Sequence, residues 1–116
     1  MTIGSTTRDG LIAGGYPLAA DEITITNATF MRGDVVGVSA TGAYALVNST
    51  ASDGTQTPIG IITDDVSADA AQNVVTTMYI KGEFNQRFLR FGGTDTVDTH
   101  RRRMIEIGLI PRETRV

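Results

Sequence analysis

Val74-Val75-Thr76-Thr77-Met78-Tyr79-Ile80-Lys81 is the stretch that decides the fold. β-branched and aromatic residues dominate it, and such residues fit a pleated, half-buried surface. Successive strand side chains point to opposite faces. Val75, Thr77 and Tyr79 therefore share one side, with Val74, Met78 and Ile80 on the other. Upstream, Ile59-Gly60-Ile61-Ile62-Thr63 reads as a buried strand and Asp64-Asp65 as the start of a turn. Ser67 to Asn73 reads as a polar connection. Asn48 to Pro58 is a polar loop without period, long for a compact domain, where such loops often carry contacts. Val35-Val36-Gly37-Val38 and Tyr44-Ala45-Leu46-Val47 flank Ala40-Thr41-Gly42. A three-residue loop ending in glycine fits a hairpin whose last loop position is left-handed. Ile23-Thr24-Ile25-Thr26 alternates apolar and hydroxyl side chains, as a half-buried strand does.

Downstream, Phe84 to Phe91 is aromatic-rich and reads as a strand or a short helical turn with one apolar side. Gly92-Gly93 ends it. Asp95 is the expected helix N-cap, with Asp98 three positions on. Gly108 is a good stop and Pro111 forbids continuation, so the spacing predicts a helix over about Thr96–Ile107. On a helical wheel Val97, Met104, Ile105 and Ile107 form the inner stripe, while Asp98, Arg102, Arg103 and Glu106 face out. Asp98 and Arg102 make a favourable acid-then-base pair four residues apart. Arg101 falls inside the stripe, where a charge needs a partner. Either its stem snorkels outward, or it pairs with a carboxylate across a subunit boundary, which would put Arg101 in an oligomer interface. Leu109 to Val116 reads as a last edge strand.

Residues 1–21 form a separate compositional zone. Gly4, Gly10, Gly14, Gly15 and Pro17 oppose a helix, and Ile3, Leu11, Ile12, Tyr16 and Leu18 keep no period. The expectation is an extended arm over 1–21 and a β-rich domain over 22–116. The expected fold is mainly β with one short C-terminal helix (α+β): a compact, barrel- or sandwich-like single domain.

Composition narrows the function. A chain of 116 residues is expected to form one domain. It has no cysteine, so disulfides and thiolate metal sites are excluded. No apolar run approaches the ~18 residues of a membrane span, and no signal peptide is expected. Asn27-Ala28-Thr29 and Asn48-Ser49-Thr50 then read as turn residues rather than glycosylation sites. Residues 1–99 carry 5 basic and 11 acidic side chains, net −6, against five arginines and two glutamates, net +3, in 100–116. An acidic body argues against nucleic acid as the main partner. That polarity suits contact with another protein surface. His100 is the one histidine, and beside a helix stripe it reads as structural. Asp64, Asp65 and Asp69 do not match a calcium loop. There is no G-x-S-x-G and no phosphate loop. Gly92-Gly93-Thr94 ahead of a helix could cradle an anion, but Asp95 would occupy that position. No catalysis, cofactor or metal is expected.

Five stretches carry a resemblance: Leu11-Ile12-Ala13-Gly14-Gly15-Tyr16-Pro17, Thr29 to Gly37, Asp53 to Ile61, Asp64-Asp65-Val66, and Tyr79 to Asn85. In this order and at this spacing the chain resembles the lambda-type bacteriophage head decoration proteins over nearly its whole length. The resemblance implies a mostly β fold with a small helix. It implies homotrimers at three-fold positions on the outer face of an expanded capsid, bound to the major capsid protein. It further implies a cementing role against packaged DNA. The family's N-terminal arm meets the capsid, so that role carries over to Leu11, Ile12, Ala13, Gly14, Gly15, Tyr16, Pro17 and Leu18. The basic ending from Pro111 to Val116 departs from the shortest members. Two alternatives remain: a virion-surface module for host carbohydrate, which the lack of tryptophan disfavours, and a structural domain of a tail or baseplate.

Overall fold

The computed structural model describes residues 10–14 and 17–113. Six strands and one helix follow in the order β1 (Ala19–Phe30), β2 (Val35–Val38), β3 (Tyr44–Leu46), β4 (Gly60–Ile62), β5 (Val66–Asn85), α1 (Val97–Ile107) and β6 (Leu109–Arg112). The sheet runs β1-β5-β4-β2-β3, antiparallel throughout, and β6 adds to the far end of β5 in parallel. The mainly β fold with one short C-terminal helix is as the sequence indicates.

Consecutive apolar pairs set the architecture. Val35, Ile61 and Tyr79 enter one core cluster, while their neighbours Val36, Ile62 and Met78 enter a second. Because strand side chains alternate in direction, these are the two faces of one sheet. On the first face Leu11, Val47, Phe84, Leu89, Met104 and Leu109 cover the sheet. On the second, Ile23, Ile25, Phe30 and Ala68 pack beneath the curled sheet, with Tyr44 of β3 against them. A sheet buried on both sides reads as paired apolar residues rather than strict alternation. The split expected within 74–81 holds: Tyr79 lies in the first cluster, with Met78 and the partly buried Val74 and Ile80 at the second.

The hairpin between β2 and β3 is as expected. Gly42 has φ +90°, and Ser39 N donates to Ala43 O at 2.8 Å. Three expectations fail locally. Ser67 to Asn73 is not a connection but part of β5. Ala28 pairs with Ala68 and Thr26 with Asn73, so residues 69–72 bulge out opposite Asn27. Asn27 and Ala71 both take positive φ there. The segment is polar because the bulge is exposed, so it gives no core signal. The second failure is Asp95: Thr96 is the N-cap of α1, and Thr96 N donates to Thr99 Oγ1 at 3.1 Å. The third is Ile105, which is 48% exposed, its place on the inner side being taken by His100. Gly108 closes α1 at φ +93° as expected. Leu109–Arg112 of the predicted 109–116 strand is found as β6.

Candidate partner-binding edge

The zone read as an arm enters the body at Leu11, which is fully buried in the first core cluster. Asn85 N donates to Leu11 O at 2.7 Å, and Ala13 N donates to Glu83 O at 2.9 Å. Ile12 therefore faces Phe84 as the non-hydrogen-bonded member of an antiparallel pair. In such a pair the residue's own N–H and C=O point away from the partner strand. Ile12 thus presents one donor and one acceptor to the outer edge, and neither is hydrogen-bonded among the described residues.

The flanks of this edge are apolar. Gly10, at φ +79°, lies against the Phe88 ring, and a Cβ there would sit 3.2 Å from Phe88 Cε2. The ring itself is 42% exposed, and Met31 on the adjacent turn is 48% exposed. Gly33 allows the approach: a Cβ on it would lie 2.3 Å from Phe88 O. Gly14 and Pro17 are exposed, and Leu18 reaches Gly82 while remaining half-exposed. Gly15 and Tyr16 lie outside the described residues. Ala19 already belongs to β1 and pairs with Lys81. Residues 11–13 and 19–21 pair with β5, and Leu11 contributes to the core.

A buried carboxylate holds the turn beside this edge. Asp34 is fully buried, and its two oxygens accept from Arg90 Nε at 2.6 Å and Nη2 at 2.9 Å. Met31 N also donates to Asp34, at 2.8 Å. The carboxylate thus joins the 31–34 turn to the segment after Phe88. Local sequence does not signal this pair, because its members lie 56 positions apart. Arg101 donates to Asp98 Oδ1 at 3.1 Å and to Gln86 Oε1 at 2.9 Å. These partners within its own chain account for a charge in the stripe.

Asp95 serves a different purpose from the one expected. Its carboxylate accepts from Ser49 N at 2.6 Å and Ser49 Oγ at 2.7 Å, and bonds His100 Nε2 at 2.7 Å. His100 stacks on Phe91 with ring centres 5.7 Å apart. The set ties the 48–58 loop to the first turn of α1. Burial pushes the Asp95 carboxyl up, but hydrogen bonds from the Ser49 side chain, from His100 and from the Ser49 amide, with the attraction of His100, outweigh it. The carboxyl therefore sits below its ordinary value of 3.8. A depressed carboxyl contributes stability above the unfolded value and loses it as pH falls through the folded one. Asp95→Asn is expected to be about 1–3 kcal/mol less stable than wild type at neutral pH. Urea titrations should show that gap closing as the pH drops below 3.8. A gap that stays constant down to strongly acid pH would contradict this role.

No group of three metal-capable side chains occurs among the described residues, and no helix there is long and apolar enough to cross a membrane. A groove of about 180 Å3 runs between β1 and the 41–44 turn, lined by Thr24, Ile25, Thr26, Ala28, Thr41, Gly42, Ala43 and Tyr44. It is smaller than usual small-molecule sites and holds no carboxylate, histidine or lysine.

A two-faced sheet with apolar flanks beside a strand edge that is unpaired at Ile12 among the described residues is a geometry suited to binding a partner strand. A family model for bacteriophage lambda head decoration protein D matches residues 1–105, and the chain belongs to that family. The family is a structural phage family, not an enzyme family, and its place is on the phage capsid. No curated protein matches the chain.

Proposed function

We propose that three copies of this chain bind together at three-fold positions on the outer surface of the expanded capsid. There they cement neighbouring capsid subunits against the pressure of packaged DNA. The partner is the major capsid protein, and neither nucleic acid, membrane nor catalysis is involved. The open edge at Ile12 is the observation that carries this reading. A strand of the capsid protein can add along residues 10–13 through backbone hydrogen bonds, the mode by which extended segments join exposed sheet edges. Residues 14–18 extend the contact with Leu18.

A cement needs a body that does not yield, and here the grip starts on a core residue, Leu11, rather than on a free tether. That limits the entropy lost on binding, which for ordering free chain runs ~1–2 kcal/mol per residue. Valency then multiplies weak contacts, because the second and third edges of a trimer act at high effective concentration once the first is engaged.

The test is to mix purified protein with expanded capsids of the parent phage and image them. Saturating density at three-fold positions, with capsids more resistant to heat, is expected. Bare capsids at saturating protein, or density on tails alone, would overturn the reading.

A further inference from the structure

We propose that Phe88 and Arg87 form an anchor for an extended capsid-protein segment, receiving an apolar side chain on the ring and a carboxylate on the guanidinium. The proposal rests on the capsid-binding function above and names the chemistry of its partner. Phe88 is one of five large apolar side chains left exposed among the described residues, and its ring lies against Gly10, where the open edge begins. A strand adding along residues 10–13 would pass beside this ring. Met31 widens the apolar surface from the neighbouring turn.

Arg87 supplies the charge. It is exposed and makes no ion pair among the described residues, whereas Arg90 is already matched by Asp34. An exposed, unpaired cation next in sequence to the exposed Phe88 ring favours an approaching carboxylate over a basic segment. The platform is also held rigid. Arg87 N donates to Asn85 Oδ1 at 3.2 Å, and Leu89 N donates to Gln86 O at 3.3 Å, closing the 3-10 turn of residues 86–88. Aromatic anchors held rigidly in this way lose little freedom on binding and dominate interface energies.

Two other occupants are excluded by the test. Residues 1–9, which lead into Gly10, could cover the ring, or a second copy of the chain could. The chain has no tryptophan, so Phe88→Trp gives a single emission probe. In the free protein it is expected to emit as a water-exposed indole, unchanged by dilution or by removal of residues 1–9. A buried emission that turns red on removing 1–9, or on dilution, would overturn the proposal in favour of the chain's own segment or a second copy.

Co-sedimentation with expanded capsids then reads the anchor directly. Phe88→Ser should bind about tenfold or more weakly with an unchanged melting temperature. Phe88→Leu should retain most binding. Arg87→Glu should weaken binding and flatten its dependence on salt. Wild-type binding with both Phe88→Ser and Arg87→Glu equal to it overturns the anchor alone. Failure of the wild type to bind capsids overturns the anchor together with the function.

Discussion

Leu11→Ala is expected to destabilise the protein by about 2–5 kcal/mol, the usual range for emptying a fully buried leucine site. Leu11 is wholly enclosed with Val35, Phe84, Leu89 and Leu109. Its carbonyl accepts from Asn85 N, so the backbone cannot drift to refill the space without losing a buried hydrogen bond. For a domain of this size the change corresponds to a fall in melting temperature of roughly 10 °C or more. Truncations bracket the same point. Removing residues 1–9 should leave melting nearly unchanged. Removing 1–18 should cause a large loss, because it deletes Leu11 and both backbone bonds to β5. Leu11→Ala melting within a degree or two of wild type would show that the residue is not part of the core.

Asp34→Ala should cost about 3 kcal/mol, because hydrogen bonds to a buried charge are the stronger kind and their loss strands the partners. Three donors converge on this carboxylate: two from Arg90 and one from Met31 N. Arg90 is half-exposed and recovers water when released, which keeps the loss below that of breaking a fully buried ion pair. Asp34→Asn preserves the shape and one acceptor, so its denaturant midpoint should fall between those of wild type and Asp34→Ala. Because the pair fixes the 31–34 turn beside residues 88–90, Asp34→Ala should weaken capsid binding as well. An Asp34→Ala variant within about 0.5 kcal/mol of wild type, the usual range of a featureless surface change, would contradict this role.

Where two-sided burial left paired apolar residues, the fold was legible. Val35-Val36, Ile61-Ile62 and Met78-Tyr79 each mark a strand, and each pair divides between the two core clusters. Gly42 and Gly108 were legible because left-handed positions demand glycine. The bulge over 69–72 was not, since exposed polar residues look alike in a strand and in a loop. Leu11 was hidden among glycines, because pairing with Glu83 and Asn85 depends on contacts some 70 positions away. Asp95 was misread for the same reason. A carboxylate just before a helix resembles a cap, and only the fold brings Ser49 to it. Arg101 was correctly seen to need a partner, but Gln86 could not be named from the helix alone. Of the candidate site, residues 11–13 were marked by resemblance. Phe88 and Met31 were not, since exposed apolar side chains carry no sequence signature.

The most direct measurement is the occupancy of expanded capsids by Ile12→Pro beside wild type, with melting temperatures for both. The Ile12 amide makes no hydrogen bond among the described residues, and proline is tolerated at an edge whose N–H faces outward. Because Ile12 is only partly buried against the first core cluster, melting should fall modestly, while the donor offered to an added strand disappears. Modestly lowered melting with occupancy reduced by about tenfold or more, the loss of roughly one well-formed hydrogen bond per edge multiplied over three edges, is the expected result. Full occupancy by a well-folded Ile12→Pro protein would contradict strand addition at this edge.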